Sequence, residues 1–354
     1  MTRRQVHLLF PAGYDDPQRP SGGNVYDGHV RDGLAALGWT VVDQQVSGAW
    51  PAPERSIESE VQRQLALVPD GGLALFDGLL GSAEMALLRH ARRLRLVALV
   101  HMPGPPGGPP PAVLTALRMV ITTSSWTASM LAEESGLDPT AIVIATPGAD
   151  PAEVASGTPS GGSLLCVAPV VPAKGYDVLF QALAGLDDAA GSSARTAWSC
   201  TCVGALDSDP DFVRQQRQLL AGRAIEQHVH FAGVRTGADL DRCYGEADLL
   251  VLPTRLESYG MVVTEALARG LPVVASAVGG LPEALGRAAD GKPPGILVPA
   301  QDPDALRAAL TRWLTEPDLR TALRTRARDR RRRLPGWDRT VASISSALAR
   351  VLDG

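Results

Sequence analysis

Four cysteines in 354 residues, none in a C-x-x-C spacing, leave no framework for a zinc ribbon or a disulfide-stapled scaffold. Cys166, Cys200, Cys202 and Cys243 stand in apolar or helical surroundings and read as free thiols in a reducing compartment, the cytoplasm. Long apolar runs are missing too: nothing approaches the roughly 20 residues of a membrane-spanning helix. The start, MTRRQVHLLFPAG, interrupts its apolar run at Pro11 and reads as a first strand, not a leader peptide. A net charge of −4 argues against a general nucleic-acid binder. No G-x-G-x-x-G follows the first strand, which weakens a nicotinamide-binding reading, and no internal repeat is evident.

What is present is ordinary globular composition, 45% hydrophobic and 20% charged, in a chain too long for one typical core. Short apolar runs (VHLLF, WTVVDQQV, LALFDG, LRLVALV, MVITTS) alternate with helical patterns such as GGNVYDGHVRDGLAALG. A Gly-, Pro- and Ser-rich stretch at Gly148–Ser163 reads as a linker, after which the rhythm restarts with SLLCVAPV, AWSCTCVGAL, HVHFAGV, ADLLVLP, LPVVAS and GILVP. This is the βαβ rhythm of parallel sheets covered by helices. It predicts an α/β protein of two Rossmann-like doubly wound domains facing a central cleft, with boundaries near 1–155 and 160–335. Ligands of such sheets bind beyond the carboxyl ends of the strands. Asp302 and Pro303 mark a helix start. The basic run RTRARDRRRRLPGW, Arg324–Trp337, reads as a solvated helix face ending at Pro335, with a nucleic-acid or lipid-headgroup patch as the alternative.

The stretch PTRLESYGMVVTEALARG places Glu257 in a loop after an apolar strand and Glu265 inside the following helix. A helix starting near Gly260 offers unpaired amides and the positive end of its dipole, a ready phosphate site, and glycine lets the backbone approach closely. Glu265 is placed to accept hydrogen bonds from a ribose, and Glu257 to reach what hangs from a diphosphate. The plainer alternative is that both acids merely favour a helix N-terminus. Lys174, in VPAKGYD, is suited to neutralise a departing phosphate or is an exposed lysine at a helix start. Ser21-Gly22-Gly23 opens a helix after the first strand, as a site for a phosphate or sugar or as a tight turn. His101 ends a strand at the predicted cleft edge.

The segment ADLLVLPTRLESYGMVVTEALARGLPVVASAVGGLPEAL resembles the E-x7-E region of retaining glycosyltransferases of family four, which have the GT-B fold. The likeness extends upstream through LLCVAPVVPAKGYDVLFQAL and HVHFAGVRTGADLDRCYGEADLL, downstream through GILVPAQDPDALRAAL, and more loosely into the first half. It implies sugar transfer with retention from an NDP-sugar, UDP-sugar first among them, to a hydroxyl of a small-molecule, glycan or lipid acceptor. On this resemblance Glu265 holds the ribose, while Lys174 and the amides of Gly260, Met261 and Val262 hold the diphosphate. Ser258 and Tyr259 belong to the same donor loop. Glu257 and His101 orient the sugar, and Gly22 and Gly23 reach the diphosphate, the sugar or the acceptor.

The resemblance implies no cofactor and no metal, with leaving-group charge taken by Lys174 and the helix dipole. The Asp-x-Asp stretches at Asp207–Asp211 and Asp302–Asp304 are the formal metal candidates. It further implies that a final segment from about Trp337 returns to the first domain. Ala168 and Pro169 stand where the family often has Gly-Arg, which removes one expected phosphate cation. The loop His101–Val113, dense in Gly and Pro, reads as part of the acceptor site. No nucleic-acid partner and no integral membrane segment are expected; peripheral membrane contact is compatible with the sequence. A non-hydrolysing nucleotide-sugar epimerase, a retaining phosphorylase and a catalytically dead nucleotide-sugar-binding module are the competing readings. The chain is short for the phosphorylase.

Overall fold

A computed structural model describes residues 4–16, 20–48, 57–104, 108–186, 198–223 and 225–354. Pro105, Pro106 and Gly107 of the His101–Val113 loop lie outside the described residues. The chain divides into two compact units, residues 1–148 with 335–354, and residues 149–334.

The first unit runs β1 (Gln5–Pro11), α1 (Gly22–Ala36), β2 (Thr40–Val46), α2 (Ile57–Ala66), β3 (Leu73–Asp77), α3 (Glu84–His90), β4 (Arg95–Val100), α4 (Pro111–Ala116), β5 (Met119–Thr122), α5 (Ser125–Ser135) and β6 (Ile142–Ile144). All its paired strands are parallel, in the order β2-β1-β3-β4-β5-β6. β3 and β5 are buried along their whole length, as continuous apolar strands in a sheet covered on both faces must be. One face packs Tyr26, Val30 and Leu34 of α1 against Val341, Ile344 and Leu348; the other packs Val61 and Leu65 of α2 against Leu87 and Val100. Ser21 caps α1 by accepting the Asn24 amide at 3.0 Å.

The second unit runs β7 (Ser163–Val167), α6 (Tyr176–Ala184), β8 (Ser199–Val203), α7 (Pro210–Leu220), β9 (Val229–Gly233), α8 (Gly237–Glu246), β10 (Leu249–Leu252), α9 (Met261–Ala268), β11 (Val273–Ser276), α10 (Leu281–Leu285), β12 (Gly295–Val298), α11 (Pro303–Thr315) and α12 (Pro317–Arg331). Its parallel order is β12-β11-β10-β7-β8-β9. Strand order reverses between β7 and β10, as it does between β1 and β3 in the first unit. Each reversal opens a crevice at the carboxyl ends of the strands. α13 (Trp337–Asp353) returns to the first unit and packs along α1. Cys166, Cys200 and Cys202 are free and buried, with Cys166 and Cys202 side by side on β7 and β8. Among the described residues no helix is long and apolar enough to cross a membrane.

Two features differ from the sequence expectation. The Gly/Pro/Ser stretch is not a free tether. Ala155 and Ser156 donate to the Arg269 and Gly245 carbonyls, and the Trp313 indole donates to the Gly161 carbonyl. The basic run of α12 is spent largely on internal partners rather than turned wholly to solvent. Arg324 bonds Asp248 at 2.7 Å, Arg326 bonds Asp290, and Arg331 bonds the Ala152 and Ala268 carbonyls. Asp248, its side chain fully buried, also accepts from the Thr158 amide and hydroxyl and the Ser163 amide. It thereby ties the segment leading into β7, α12 and the start of β10 together. Asp248→Ala leaves Arg324 and three donors unpaired, so we expect it to destabilise the second unit by about 3–5 kcal/mol in urea unfolding. Asp248→Asn, which preserves the shape, is expected to lose less.

Candidate functional site

In the second unit three loops converge at the β7/β10 crevice: 168–175 after β7, 253–260 after β10 and 277–280 after β11. The first two are stapled together. The Arg255 amide donates to the Ala173 carbonyl at 2.8 Å, and the Thr254 hydroxyl donates to the same oxygen at 3.0 Å. The Arg255 guanidinium forks onto Asp177 of α6 at 3.0 and 2.6 Å and reaches the Pro172 carbonyl. Such a bidentate pair fixes geometry as well as charge.

Two glycines make the convergence possible. Gly175 follows Lys174 at φ 70°, and a Cβ there would collide with the Pro253 carbonyl. Gly279, at φ 54°, lies against the Glu257 carbonyl, and the Gly280 amide donates to that same carbonyl at 3.0 Å. Only glycine tolerates both the conformation and the approach.

The result is a direct contact between two of the expected site residues: Lys174 Nζ donates to Glu257 Oε2 at 2.7 Å. Both side chains are partly open to solvent. Gly260 caps α9 at φ 96°, and the Val263 amide closes on the Gly260 carbonyl at 2.9 Å. The earlier amides of that turn, at Gly260, Met261 and Val262, are the unpaired donors every helix start presents. Ser258 and Tyr259 are buried in the loop between Glu257 and the helix.

Glu265 sits in the body of α9, apart from the Lys174–Glu257 pair. It accepts from the Tyr244 hydroxyl at 2.7 Å, and its own carbonyl accepts from Arg269. Burial raises its pKa, against the opposing pull of Tyr244 and Arg269. The Glu265 carboxylate is thus held in place by a buried tyrosine that no sequence signal singled out. Ala168 and Pro169 offer no cation. The Ala168 carbonyl accepts the Tyr176 hydroxyl at 2.7 Å, and the arginine on the neighbouring loop, Arg255, is committed to Asp177.

The remaining expected residues lie in the first unit, on its own β1/β3 crevice and the end of β4. Gly22 and Gly23 form the first turn of α1, and Gly23 lies against the His101 ring, where a Cβ would meet Cδ2 at 3.4 Å. His101 follows β4, and its Nε2 pairs with Asp27 Oδ1 at 2.9 Å. Tyr26 meets the ring edge-on at 5.2 Å between centroids. Asp77, at the end of β3, completes a group in which one oxygen or nitrogen from each residue lies within 4.8 Å of the others. Asp27 and Asp77 were not anticipated from the sequence, where each is one acid among 38.

Burial pulls the His101 pKa down, but the charge and hydrogen bond of Asp27, with Asp77 behind it, outweigh that and raise it to about 9. Burial, then the charge of Asp27, push Asp77 up to about 7. The Asp-x-Asp stretches serve local roles. Asp209 and Asp302 cap α7 and α11, and Asp211 and Asp304 pair with Arg214 and Arg307. His228 lies in a 3-10 turn rather than in the strand expected for it, and bonds the Trp198 carbonyl.

Residues 160–330 match the family model described as glycosyl transferases group 1. D-inositol 3-phosphate glycosyltransferases of Salinispora arenicola and Salinispora tropica are 32% and 33% identical over 249 residues. Those alignments cover 66% of this chain and 54% and 50% of the relatives. The chain thus spans about half the length of the curated relatives it matches. Among solved structures, a Rickettsia africae glycosyltransferase aligns over 100% of both chains at TM-score 0.74 and 15% identity. Thermosynechococcus elongatus sucrose-phosphate synthase aligns over 99% of this chain and 100% of its own at 0.75 and 20%. Anabaena HepE in complex with UDP and glucose aligns over 98% and 100% at 0.71 and 17%. At these identities the likeness is one of fold, and the fold is of the GT-B class.

The glycine at 279 gives a direct check on the loop geometry. Gly279→Ala is expected to cost about 2–4 kcal/mol in chemical unfolding, because the Cβ must displace the Glu257 carbonyl from a left-handed backbone. Gly291→Ala, at φ 73° but with open space around it, is expected to cost about 1 kcal/mol from conformation alone.

Proposed function

We propose that this chain, whose residues 160–330 match the glycosyl transferases group 1 family model, moves a sugar from an NDP-sugar to a hydroxyl acceptor with retention at the anomeric carbon. The observation that carries the reading is the Lys174–Glu257 pair at 2.7 Å, set at the crevice of the second unit beside the open start of α9.

The chemistry follows from what a departing nucleoside diphosphate needs. Negative charge develops on the leaving phosphate, and a preorganised cation with helix-start amides stabilises it at no reorganisation cost. Lys174 exchanges its carboxylate partner for that phosphate. The amides of Gly260, Met261 and Val262 take its other oxygens, and Ser258 and Tyr259 shape the loop that presents them. Glu257, released from the lysine, accepts from sugar hydroxyls. Glu265, oriented by Tyr244, takes the ribose hydroxyls. In this reading the second unit, about 160–335, binds the donor, UDP-sugar foremost. The first, about 1–155 with the returning helix, binds the acceptor, a small molecule, glycan or lipid, against Gly22, Gly23 and His101.

The acceptor hydroxyl attacks the face that the nucleotide leaves, and its proton goes to the departing phosphate, so no covalent nucleophile and no metal are needed. With Ala168-Pro169 in place of Gly-Arg, phosphate binding rests on Lys174 and the amides. The S. arenicola and S. tropica relatives are named D-inositol 3-phosphate glycosyltransferases, which makes a polar, phosphorylated polyol the first acceptor to try.

Calorimetry in EDTA tests the donor site. UDP is expected to bind saturably and more tightly than GDP, and Glu265→Ala to weaken it at least tenfold. Failure of both nucleotides to bind until Mg²⁺ or Mn²⁺ is restored would overturn the metal-free reading. Lys174→Ala is expected to lower kcat for donor turnover by about 10²–10³. Anomeric proton couplings of the first product are expected to show retention.

A further inference from the structure

Three ionisable groups meet in the first unit without a simple charge balance. Asp27 and Asp77 are 1% and 3% exposed, and His101 is partly open. Two carboxylates this close and this buried disfavour each other's ionisation, and burial with the charge of Asp27 pushes Asp77 up to about 7. Asp27 Oδ1 faces His101 Nε2 at 2.9 Å, so one of the two carries a proton, and with Asp27 ionised it is Nε2. Asp27 Oδ2 is buried and has no hydrogen-bond partner. Asp77 Oδ1 accepts the Leu79 amide at 2.8 Å, leaving its second oxygen free to carry a proton. Asp77 has an oxygen within 4.8 Å of an Asp27 oxygen, so a proton on Asp77 would supply a donor toward the orphaned Oδ2. Asp27 and Asp77 are the charged groups that face the ring among the described residues. Tyr26, whose hydroxyl is committed to the Ala145 carbonyl, and Gly23 also lie against the ring, which stays partly open.

Two arrangements satisfy the Asp27–His101 bond. In one the ring is neutral, with a bare Nδ1 able to accept a proton, as in a Ser-His-Asp site. In the other the ring is an imidazolium and Nδ1 carries a proton. The second buried carboxyl decides between them, because it adds negative potential on the Nε2 side of the ring and cannot be solvated there. We propose that Asp27 and Asp77 share one proton and hold His101 as an imidazolium, so that His101 acts as a charge-assisted hydrogen-bond donor through Nδ1 and not as a general base. The triad is then electrically neutral as a whole, and it offers a substrate hydroxyl or phosphate oxygen a strong donor without net charge.

Asp27 and Asp77 are positioning residues in this scheme. Its catalytic meaning rests on the transferase reading, in which the leaving phosphate takes the acceptor's proton and no protein base is required. The protonation state itself is tested without turnover, so the two can fail separately.

The stability consequence has a definite sign. A His101 pKa raised by folding contributes stability that is full below about 6.5 and is lost as pH rises through about 9. The raised Asp77 acts in the same sense, its contribution fading between the ordinary carboxylate range and about 7.

Side-chain ¹H–¹⁵N NMR of the full chain in EDTA, with His101→Gln to assign the signal, reads the ring directly. Both ring nitrogens are expected to stay protonated to pH 8. Asp27→Asn is expected to bring the titration down by about two units. Asp77→Asn, whose amide can replace the protonated acid as donor to Asp27, is expected to keep it above pH 8. Wild-type His101 titrating below pH 7 with Nδ1 unprotonated would overturn the proposal in favour of a base. So would an Asp27→Asn titration that does not move, or stoichiometric Zn²⁺ or Mn²⁺ binding that shifts the ring nitrogens once EDTA is removed. If Asp27→Asn does not fold, the wild-type titration and Asp77→Asn still decide.

Discussion

The ion pair between Lys174 and Glu257 can exist only because two backbone loops approach within bonding distance at the point where strand order reverses. β7 and β10 are neighbours in space and far apart in sequence. Their following loops emerge side by side, and Arg255 with Thr254 locks one to the other. Gly175 and Gly279 supply the clearance. Remove either, and the lysine and glutamate remain in the sequence but lose their relation. A partly buried pair of this kind adds little stability for its own sake. It holds a cation and a carboxylate in one place, which under the proposed function serves a ligand that carries both phosphate and hydroxyl groups. The same crevice presents the start of α9, so helix dipole, cation and carboxylate converge from the loops after β7 and β10.

The first unit uses the same topological device for different chemistry. Its reversal between β1 and β3 brings the start of α1 beside the end of β3, and His101 comes in from β4. Here the groups are acids around a histidine instead of a lysine facing an acid, and burial dominates over solvent screening. The Lys174–Glu257 pair in the second unit is partly open to solvent, whereas Asp27 and Asp77 in the first are almost fully buried. Both arrangements sit on strand ends backed by continuous apolar cores, which keeps the loops in register while their tips remain open.

Much of this was legible in the sequence where local chemistry decides the outcome. Continuous apolar runs such as LALFD and LLVL are strands because nothing else buries them on both sides, and Asp302-Pro303 starts a helix as its chemistry requires. β6 was not anticipated: its three residues are too few for periodicity and are strand by pairing with β5. Lys174, Glu257 and Glu265 stood out by setting. Arg255, Asp177, Tyr244, Asp27 and Asp77 did not, because each acts through a partner 21 to 78 positions away, or, like Asp77, through neighbours on other strands. The basic run of α12 shows the converse error. Some arginines that read as a solvated face pair within the chain instead, with buried Asp248, surface Asp290 and backbone carbonyls, none of which composition locates.

Backbone amide shifts during a UDP titration of the ¹⁵N-labelled chain in EDTA test the central claim most directly. A diphosphate held by the start of α9 must move the amides of Gly260, Met261 and Val262 most strongly, with Lys174 responding in the same concentration range. Saturable shifts confined to Ser21–Asn24, or to any surface away from the β7/β10 crevice, would contradict the account.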